Sequence, residues 1–141
     1  MSSVNECAFC TPEQLDWRTI TSDSFMRSFV SNPQFRPEQC LVIPNRHITE
    51  VGQLMQAEGA AIMHELGRLS TLLDRGFGTG IMQKFQPLQP DNGIKVSHLH
   101  FHVFPRIEEE VGLFPVPVPN TFEGFVQAAE EDIVNFAESL R

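Results

Sequence analysis

The chain has 141 residues, of which 41% are hydrophobic and 20% charged, and its formal net charge is −8. This length and composition predict a single domain over residues 1–141 with an apolar core. The negative charge argues against broad binding of nucleic acid or of an anionic membrane, although a small anionic ligand remains possible. The sequence shows neither an apolar run long enough to cross a bilayer nor a secretory signal pattern, so we expect a soluble, cytoplasmic protein.

A Cys-x-x-Cys motif lies near the N-terminus, at Cys7 and Cys10. The chain has three cysteines, and an odd number fits a reducing compartment better than a disulfide framework. In such a compartment the motif is either metal-binding or redox-active. A metal would need two further ligands from elsewhere in the chain.

Two strands are predicted in the next part of the chain. Alternation of apolar and polar residues indicates a strand within residues 19–30, and two prolines indicate a loop over residues 31–38. Residues 39–44 form an apolar run that ends at a proline, which predicts a buried strand. We expect Cys40, within this run, to be a small core residue.

The second half of the chain predicts a helix, two strands and a further helix. Apolar residues at three- and four-residue intervals predict an amphipathic helix over residues 53–75, with glycines directly after it. A strand over residues 80–86 and a loop over residues 87–95 precede a segment rich in histidine. After that segment, three prolines indicate an extended arm over residues 107–119, and a capping box predicts a helix over residues 120–140. This order is typical of an α+β domain built on an antiparallel sheet.

Three of the five histidines alternate with apolar residues between Ser97 and Arg106. This period of two predicts a strand with its apolar residues toward the core and with His98, His100 and His102 in a row on the other face.

Such a row has three interpretations. The imidazoles could be a surface feature without chemistry, the His-x-His spacing could hold a metal, or one imidazole could be a nucleophile whose neighbours bind an anion. Residues i and i+4 lie about 13 Å apart along a strand, so three rings cannot all reach one ion with bonds of about 2 Å. Separate roles along the row fit better.

This segment resembles the signature of the histidine triad (HIT) family, in which three histidines alternate with apolar residues. The matching run is His98-Leu99-His100-Phe101-His102-Val103-Phe104-Pro105-Arg106. Residues 41–47, an apolar strand that ends in Ile-Pro and is followed by His47, are similar to the same family. The resemblance implies an α+β, HIT-like fold with an antiparallel sheet of about five strands and two main helices, in a homodimer. Residues 1–106 carry the core motifs, and residues 107–141 form the arm and the C-terminal helix.

Members of this family are mostly nucleotide hydrolases and nucleotidyl transferases that act at the α-phosphate. The resemblance implies that His100 attacks the α-phosphorus and carries the nucleotidyl group until water removes it, with His98 and His102 as neighbouring donors to the phosphates. Dinucleoside polyphosphates are the preferred substrate class and nucleoside phosphoramidates the next. No organic cofactor is implied.

Many bacterial members of the family hold one structural zinc ion. Its ligands are a Cys-x-x-Cys pair, the histidine after Ile-Pro and the first triad histidine, which correspond here to Cys7, Cys10, His47 and His98. A set of two cysteines and two histidines makes a closed tetrahedral site. The alternative is a pair of reduced thiols with a His47 that only packs.

The resemblance also implies substrate-binding residues. Asn32 lies near the position at which relatives bind ribose, and candidates for a phosphate contact are Gln86, Gln89 and Asn92. Gly93-Ile94-Lys95-Val96 stands where many relatives have Gly-Gln-Ser/Thr-Val, so Lys95 either replaces the hydroxyl with a positive charge or is an exposed lysine. Because this loop differs, the alternative to an enzyme is a zinc-stabilised nucleotide-binding module without significant turnover.

Overall fold

The computed structural model describes residues 7–32, 34, 36–83, 98–110 and 126–141. The strands in these ranges are β1 (Thr19–Ser22), β2 (Met26–Val30), β3 (Cys40–Pro44), β4 (Thr79–Gln83) and β5 (Phe101–Pro105). The helices in the same ranges are α1 (Pro12–Leu15), α2 (Gln56–Leu73) and α3 (Glu130–Ser139). Short 3₁₀ turns lie at Ala8–Cys10, Asp16–Arg18, Val51–Gln53 and Glu108–Glu110.

The five strands form one antiparallel sheet in the order β1-β2-β3-β5-β4. This confirms the predicted α+β fold and the strand number. Because β5 lies between β3 and β4, the end of the histidine segment enters the interior of the sheet, with Leu41 of β3 and Met82 of β4 opposite His102.

Helices α2 and α3 cover one face of the sheet. Val42 of β3 and Val103 of β5 are fully buried there, packed with apolar residues of both helices. Leu69 and Leu73 of α2 are also fully buried, and each such side chain contributes about 1.5–3 kcal/mol to folding. Cys40 is a fully buried member of this core, as predicted.

The opposite face of the sheet carries a smaller apolar cluster and the histidines. Phe29, Leu41 and Ile43 are buried on this face against Leu15 of α1 and Phe9 of the Cys-x-x-Cys motif. His102 lies on the same face, because it stands opposite Leu41 in the ladder between β3 and β5. The fold therefore separates an apolar helix face from a face on which polar rings are buried.

The predicted single strand over residues 19–30 is wrong, since the structure has a hairpin there. The side chain of Asp23 accepts hydrogen bonds from the backbone N–H groups of Phe25 at 2.7 Å and Met26 at 2.8 Å. An aspartate that bonds to backbone groups two and three residues ahead forms a tight turn. This turn separates β1 from β2.

The predicted start of the last helix is also wrong. Helix α3 begins at Glu130, and Val126 instead pairs with Gln34 through two backbone hydrogen bonds of 2.6 and 2.9 Å. An extended residue with such a bridge cannot continue a helix, so the described helical residues begin four positions later. The predicted capping box at 120–123 lies outside the described residues.

The other boundaries agree within a few residues. Helix α2 is preceded by a 3₁₀ turn and is followed by Gly76 and Gly78, whose φ angles are 103° and 81°. These positive angles suit glycine in the turn after the helix, whereas the helix itself ends at Leu73 with Asp74 already extended. The residues at 84–86 that were expected in β4, the loop over 87–95 and most of the proline-rich arm lie outside the described ranges. In the part of the chain that is described, no helix has the length and apolarity needed to span a membrane.

Candidate active site and metal cluster

Four side chains converge at one end of the histidine segment: Cys7, Cys10, His47 and His98, which we call the metal cluster. The Nδ1 atom of His98 lies 3.6 Å from Sγ of Cys7 and 3.4 Å from Sγ of Cys10, and Nδ1 of His47 lies 3.2 Å from Sγ of Cys10. All four ligand atoms lie within 4.8 Å of one another. Ligand atoms around a tetrahedral zinc ion are separated by about 3.3–3.8 Å, so this arrangement fits zinc.

Three separate parts of the chain supply the metal cluster. The two cysteines flank a 3₁₀ turn, in which the N–H of Cys10 donates to the carbonyl oxygen of Cys7 at 3.1 Å. His47 follows β3, and the next residue, Ile48, accepts a hydrogen bond of 2.7 Å from the N–H of Leu99. This bond holds the His47 loop beside the segment that carries His98.

The backbone partner of His98 determines which ring nitrogen faces the thiols. His98 is fully buried, and its Nε2 lies 2.8 Å from the carbonyl oxygen of Pro44 and donates to it. A neutral ring with its proton on Nε2 has its lone pair on Nδ1, which is the atom next to both cysteines. Burial lowers the pKa of His98 below its usual value, with the neighbouring His47 adding to the effect, so the ring stays neutral and able to bind a metal.

The environment of the thiols argues against a redox-active motif. Burial raises the pKa of the Cys10 thiol to about 11, and Cys7 contributes to the increase. Reactive redox cysteines have the opposite property, a lowered pKa next to positive groups. Thiols bind a metal as thiolates and release their protons when it binds, so the raised pKa of the free Cys10 thiol is compatible with a metal site.

The second histidine, His100, is held in one tautomer by the backbone. The ring is 4% exposed, and its Nδ1 donates a hydrogen bond of 2.7 Å to the carbonyl oxygen of His98. In the neutral ring the lone pair is therefore on Nε2. The ring of Phe9 packs edge-on against His100, with centroids 5.4 Å apart. His100 thus presents a defined nucleophilic atom.

The third histidine, His102, is next to His100 and is neutral. Its ring centroid lies 5.1 Å from that of His100, with the two planes 75° apart, and we call these two residues the catalytic pair. Burial lowers the pKa of His102 to about 3, with His100 contributing. The Nδ1 atom of His102 lies 2.8 Å from the side-chain amide nitrogen of Gln39.

Comparison with known proteins gives the family. Residues 13–109, more than half of the chain, match the HIT domain. The chain belongs to the HIT domain family. No curated protein sequence is significantly similar to it.

Solved structures of other HIT proteins share the fold at low sequence identity. A zinc-bound histidine triad family protein from Mycobacterium smegmatis is 18% identical, with a TM-score of 0.67 over 98% of this chain and 94% of the other. A HIT family protein from Bacillus anthracis is 22% identical, with a TM-score of 0.61 over 94% and 93% of the two chains. The diadenosine triphosphate hydrolase of Plasmodium falciparum, in complex with cyclomarin A, is 15% identical, with a TM-score of 0.61 over 88% and 74%.

The spacing predicts a row of three histidines on one strand, but the structure places only His102 in a strand. Strand β5 begins at Phe101, so His98 and His100 precede the ladder, and the rings of all three histidines are buried. The physical reason lies in their partners, because Leu99 between them bonds to the His47 loop and not to a neighbouring strand. The structure nevertheless brings His98, His100 and His102 together.

Gln39 is the residue of this site that sequence reasoning missed. It was assigned to the start of a buried strand and given no role. The side chain is fully buried and contacts His102 directly. A polar side chain at the beginning of an otherwise apolar run was the available signal, since buried amides need hydrogen-bond partners.

Of the predicted substrate-binding residues, the structure describes Asn32 alone. Asn32 follows β2, and its side-chain oxygen accepts a hydrogen bond of 3.2 Å from the N–H of Ala128. The adjacent Ser31 donates its N–H to the carbonyl oxygen of Gln39 at 2.9 Å, so Asn32 lies near the His102 side of the site. The remaining candidates lie outside the described residues: Gln86, Gln89, Asn92 and Lys95.

Proposed function

We propose that this HIT domain is a nucleotide hydrolase or nucleotidyl transferase that attacks the α-phosphate of dinucleoside polyphosphates or related nucleotide conjugates. The observation that carries the proposal is the hydrogen bond of 2.7 Å from Nδ1 of His100 to the carbonyl oxygen of His98. This bond leaves the lone pair of a neutral imidazole on Nε2, and a histidine in that state is a competent nucleophile near neutral pH.

In the proposed first step, Nε2 of His100 forms a bond to the α-phosphorus. The bond from that phosphorus to the bridging atom breaks, and the leaving group departs with the electron pair. Water then attacks the phosphorus of the nucleotidyl-histidine and releases one proton to the solvent, the phosphorus–nitrogen bond breaks, and the nucleoside monophosphate leaves as His100 regains its lone pair. Negative charge on the phosphoryl oxygens is stabilised by placed N–H donors, a role we assign to His102.

The environment of the catalytic pair supports this division of roles. Both rings are buried, which strengthens hydrogen bonds to a developing negative charge. His98 takes no part as a phosphate donor in this proposal, because its Nε2 donates to Pro44 and its Nδ1 faces the two cysteines. His98 instead positions His100 through its own carbonyl oxygen.

We propose that the metal cluster binds zinc as a structural ion. Cys7, Cys10, His47 and His98 would supply all four ligands of a tetrahedral site and leave no open position for a substrate. The bound ion would join the N-terminal segment to the His47 loop and to the histidine segment. A solved structure of similar fold is of a zinc-bound HIT protein, which supports this assignment.

The substrate class is chosen from the chemistry of the site and from one structural neighbour. A neighbour of similar fold is a diadenosine triphosphate hydrolase, which favours dinucleoside polyphosphates over phosphoramidates. We retain Asn32 as the proposed ribose contact, and Gln86, Gln89, Asn92 and Lys95 as proposed phosphate contacts.

We further propose a homodimer. Strand β4 lies at one edge of the five-stranded sheet, and its Ile81 is 51% exposed. An edge strand with an exposed apolar residue offers backbone groups for pairing with a second copy. Light scattering should give twice the mass of the chain, and a monomeric mass would contradict this part of the proposal.

The enzyme proposal is tested with a panel of diadenosine polyphosphates and adenosine 5′-phosphoramidate. The parent should release nucleoside monophosphate, and His100→Ala should lower kcat at least about 1,000-fold because the attacking atom is lost. His64→Ala is the matched control, since His64 is exposed on α2. We expect that variant to retain the parent rate.

Two results would identify a nucleotide-binding module in place of an enzyme. The parent would bind the panel compounds without releasing monophosphate, and His100→Ala would bind and release in the same way. A trapped nucleotidyl-histidine in the parent, detected by intact mass, would contradict that alternative.

A further inference from the structure

We propose that Gln39 is a positioning residue that fixes the ring tautomer of His102, so that His102 presents an N–H donor and not a lone pair at Nε2. The inference extends the proposed function and rests on it, because it explains how the phosphate-facing donor is produced. Gln39 has no assigned role in the HIT signature of this chain, and in this proposal it acts through His102.

The contact between the two side chains is directional. The amide nitrogen of Gln39 lies 2.8 Å from Nδ1 of His102. An amide nitrogen donates hydrogen bonds and does not accept them, so Nδ1 must be the acceptor. A neutral imidazole has one N–H group, which then lies on Nε2.

Two backbone hydrogen bonds hold Gln39 in place. Its N–H donates to the carbonyl oxygen of Arg36 at 3.2 Å, and its carbonyl oxygen accepts from Ser31 at 2.9 Å. The guanidinium of Arg36 in turn donates to the carbonyl oxygen of Pro105 at 3.1 Å and forms a buried ion pair with Glu110. The loop that precedes Gln39 is thus tied to the end of β5, the strand that carries His102.

Burial strengthens the hydrogen bond between Gln39 and His102. Gln39 is fully buried and His102 is 7% exposed, so solvent competes little for the bond between them. Burial also lowers the pKa of His102 to about 3, which keeps a single proton on the ring. With one proton and a donor at Nδ1, the alternative tautomer would bring two N–H groups together.

This arrangement has a chemical consequence at the catalytic pair. The two rings are neighbours, and attack by His100 increases negative charge on the phosphoryl oxygens. An N–H at Nε2 of His102 stabilises that charge, whereas a lone pair at the same atom would repel it. A glutamine side chain neither gains nor loses a proton between pH 4 and 9, roughly speaking, so the donor is maintained across that range.

The test replaces the amide of Gln39 with groups of similar size and different hydrogen bonding. Gln39→Glu places an acceptor beside Nδ1 and should move the proton of His102 from Nε2 to Nδ1. Gln39→Met removes the donor and should leave a mixture of tautomers. The ring protonation is read from the ¹⁵N shifts of His102 in the full-length protein as purified, and kcat and KM are measured with a diadenosine polyphosphate.

We expect the parent to carry the His102 proton on Nε2. Gln39→Glu should lower kcat about 100-fold, the effect of losing one donor to a developing oxyanion, with KM changed less than about threefold. Gln39→Met should lower kcat less than Gln39→Glu. Gln56→Glu is the charge-matched control, because it adds the same charge at the exposed first position of α2. It should retain both the tautomer and the rate.

Three results would overturn the inference. The parent ring could carry its proton on Nδ1, Gln39→Glu could leave the tautomer unchanged, or the tautomer could invert while kcat stays at the parent value. If Gln39→Glu does not fold, as judged by circular dichroism, Gln39→Met decides: a His102 ring that keeps its proton wholly on Nε2, or a mixture of tautomers at the parent kcat, would overturn the inference. If the parent turns over no substrate, the proposed function fails, and the ¹⁵N shifts still decide whether Gln39 fixes His102.

Discussion

The metal cluster and the catalytic pair lie side by side and both contain triad histidines, yet the rings of His98 and His100 donate to the backbone from opposite nitrogens. In the metal cluster, His98 donates from Nε2 to a backbone oxygen and turns Nδ1 toward the thiols. In the catalytic pair, His100 donates from Nδ1 to a backbone oxygen, which leaves Nε2 for chemistry. The difference shows that the partner of one ring nitrogen assigns the role of the other.

Burial also has different consequences in the metal cluster and in the catalytic pair. Burial raises the pKa of the Cys10 thiol, so a bound cation would favour its ionisation, and we expect an occupied metal cluster to stabilise the fold. Burial of the catalytic pair keeps the rings neutral and strengthens their hydrogen bonds to charge. We therefore expect changes in the first group to act on folding and changes in the second to act on turnover.

The largest expected effect on stability comes from a metal ligand. Cys10→Ser should release zinc and lower the free energy of unfolding by about 4 kcal/mol or more, since a closed structural site couples its binding energy to folding. Metal content and urea denaturation measure the two effects. The matched control is Cys40→Ala, at a buried cysteine outside the metal cluster. It should retain the metal and cost less than about 2 kcal/mol. Equal losses in both variants would contradict a structural zinc site.

The next effect is the pH dependence that His102 gives to stability. The folded pKa of about 3 lies below the unfolded value, so the unfolded chain binds the proton more readily. Stability contributed by His102 is therefore present above about pH 6.5 and is lost as the pH falls toward 3, by about 1.5 kcal/mol between pH 6.5 and 5.

His102→Gln should remove this part of the pH dependence. Urea denaturation at several pH values between 5 and 7 measures the slope for the parent and the variant. The exposed His64 provides His64→Gln as a control that should keep the parent slope. Parallel curves for the parent and His102→Gln would show that His102 is not held neutral by burial.

The smallest expected effect concerns Phe9, which contacts both the metal cluster and the catalytic pair. Phe9 lies between the two cysteines, and its ring packs edge-on against His98 at 6.1 Å and His100 at 5.4 Å between centroids. Phe9→Leu should cost about 1 kcal/mol through lost ring contacts and should lower kcat while metal content stays unchanged. Loss of zinc in this variant would mean that Phe9 belongs to the metal cluster alone.

The sequence was a good guide where one local pattern determines the structure. Periodicity located α2, an apolar run ending at a proline located β3, and the triad spacing indicated three histidines that the structure brings together. The hairpin at Asp23 was missed because a single aspartate side chain, bonded to two backbone N–H groups, overrides the alternation around it. The start of α3 was misplaced because Val126 pairs with Gln34, a residue far away in the chain.

The tautomers of the catalytic pair also could not be predicted from the sequence. Spacing identified His100 and His102 but could not give their tautomers, because these depend on the carbonyl oxygen of His98 and on the amide of Gln39. A contact between residues 39 and 102 arises from the pairing of β3 with β5 and has no local signature. The four residues of the metal cluster could be predicted from the sequence because the family resemblance supplied their combination.

The three cysteines differ in a way that makes them useful to the experimenter. Cys40 is fully buried, and burial raises the pKa of its thiol well above the usual range, so alkylating reagents should not label it in the native protein. Cys7 is also buried, whereas Cys10 is partly exposed, so we expect a bound ion to protect Cys10 and its removal to make Cys10 available. A count of labelled thiols by mass spectrometry would therefore read zero for the occupied native protein, at least one after metal removal without unfolding, and three after denaturation. This count separates loss of the ion from loss of the fold in one measurement.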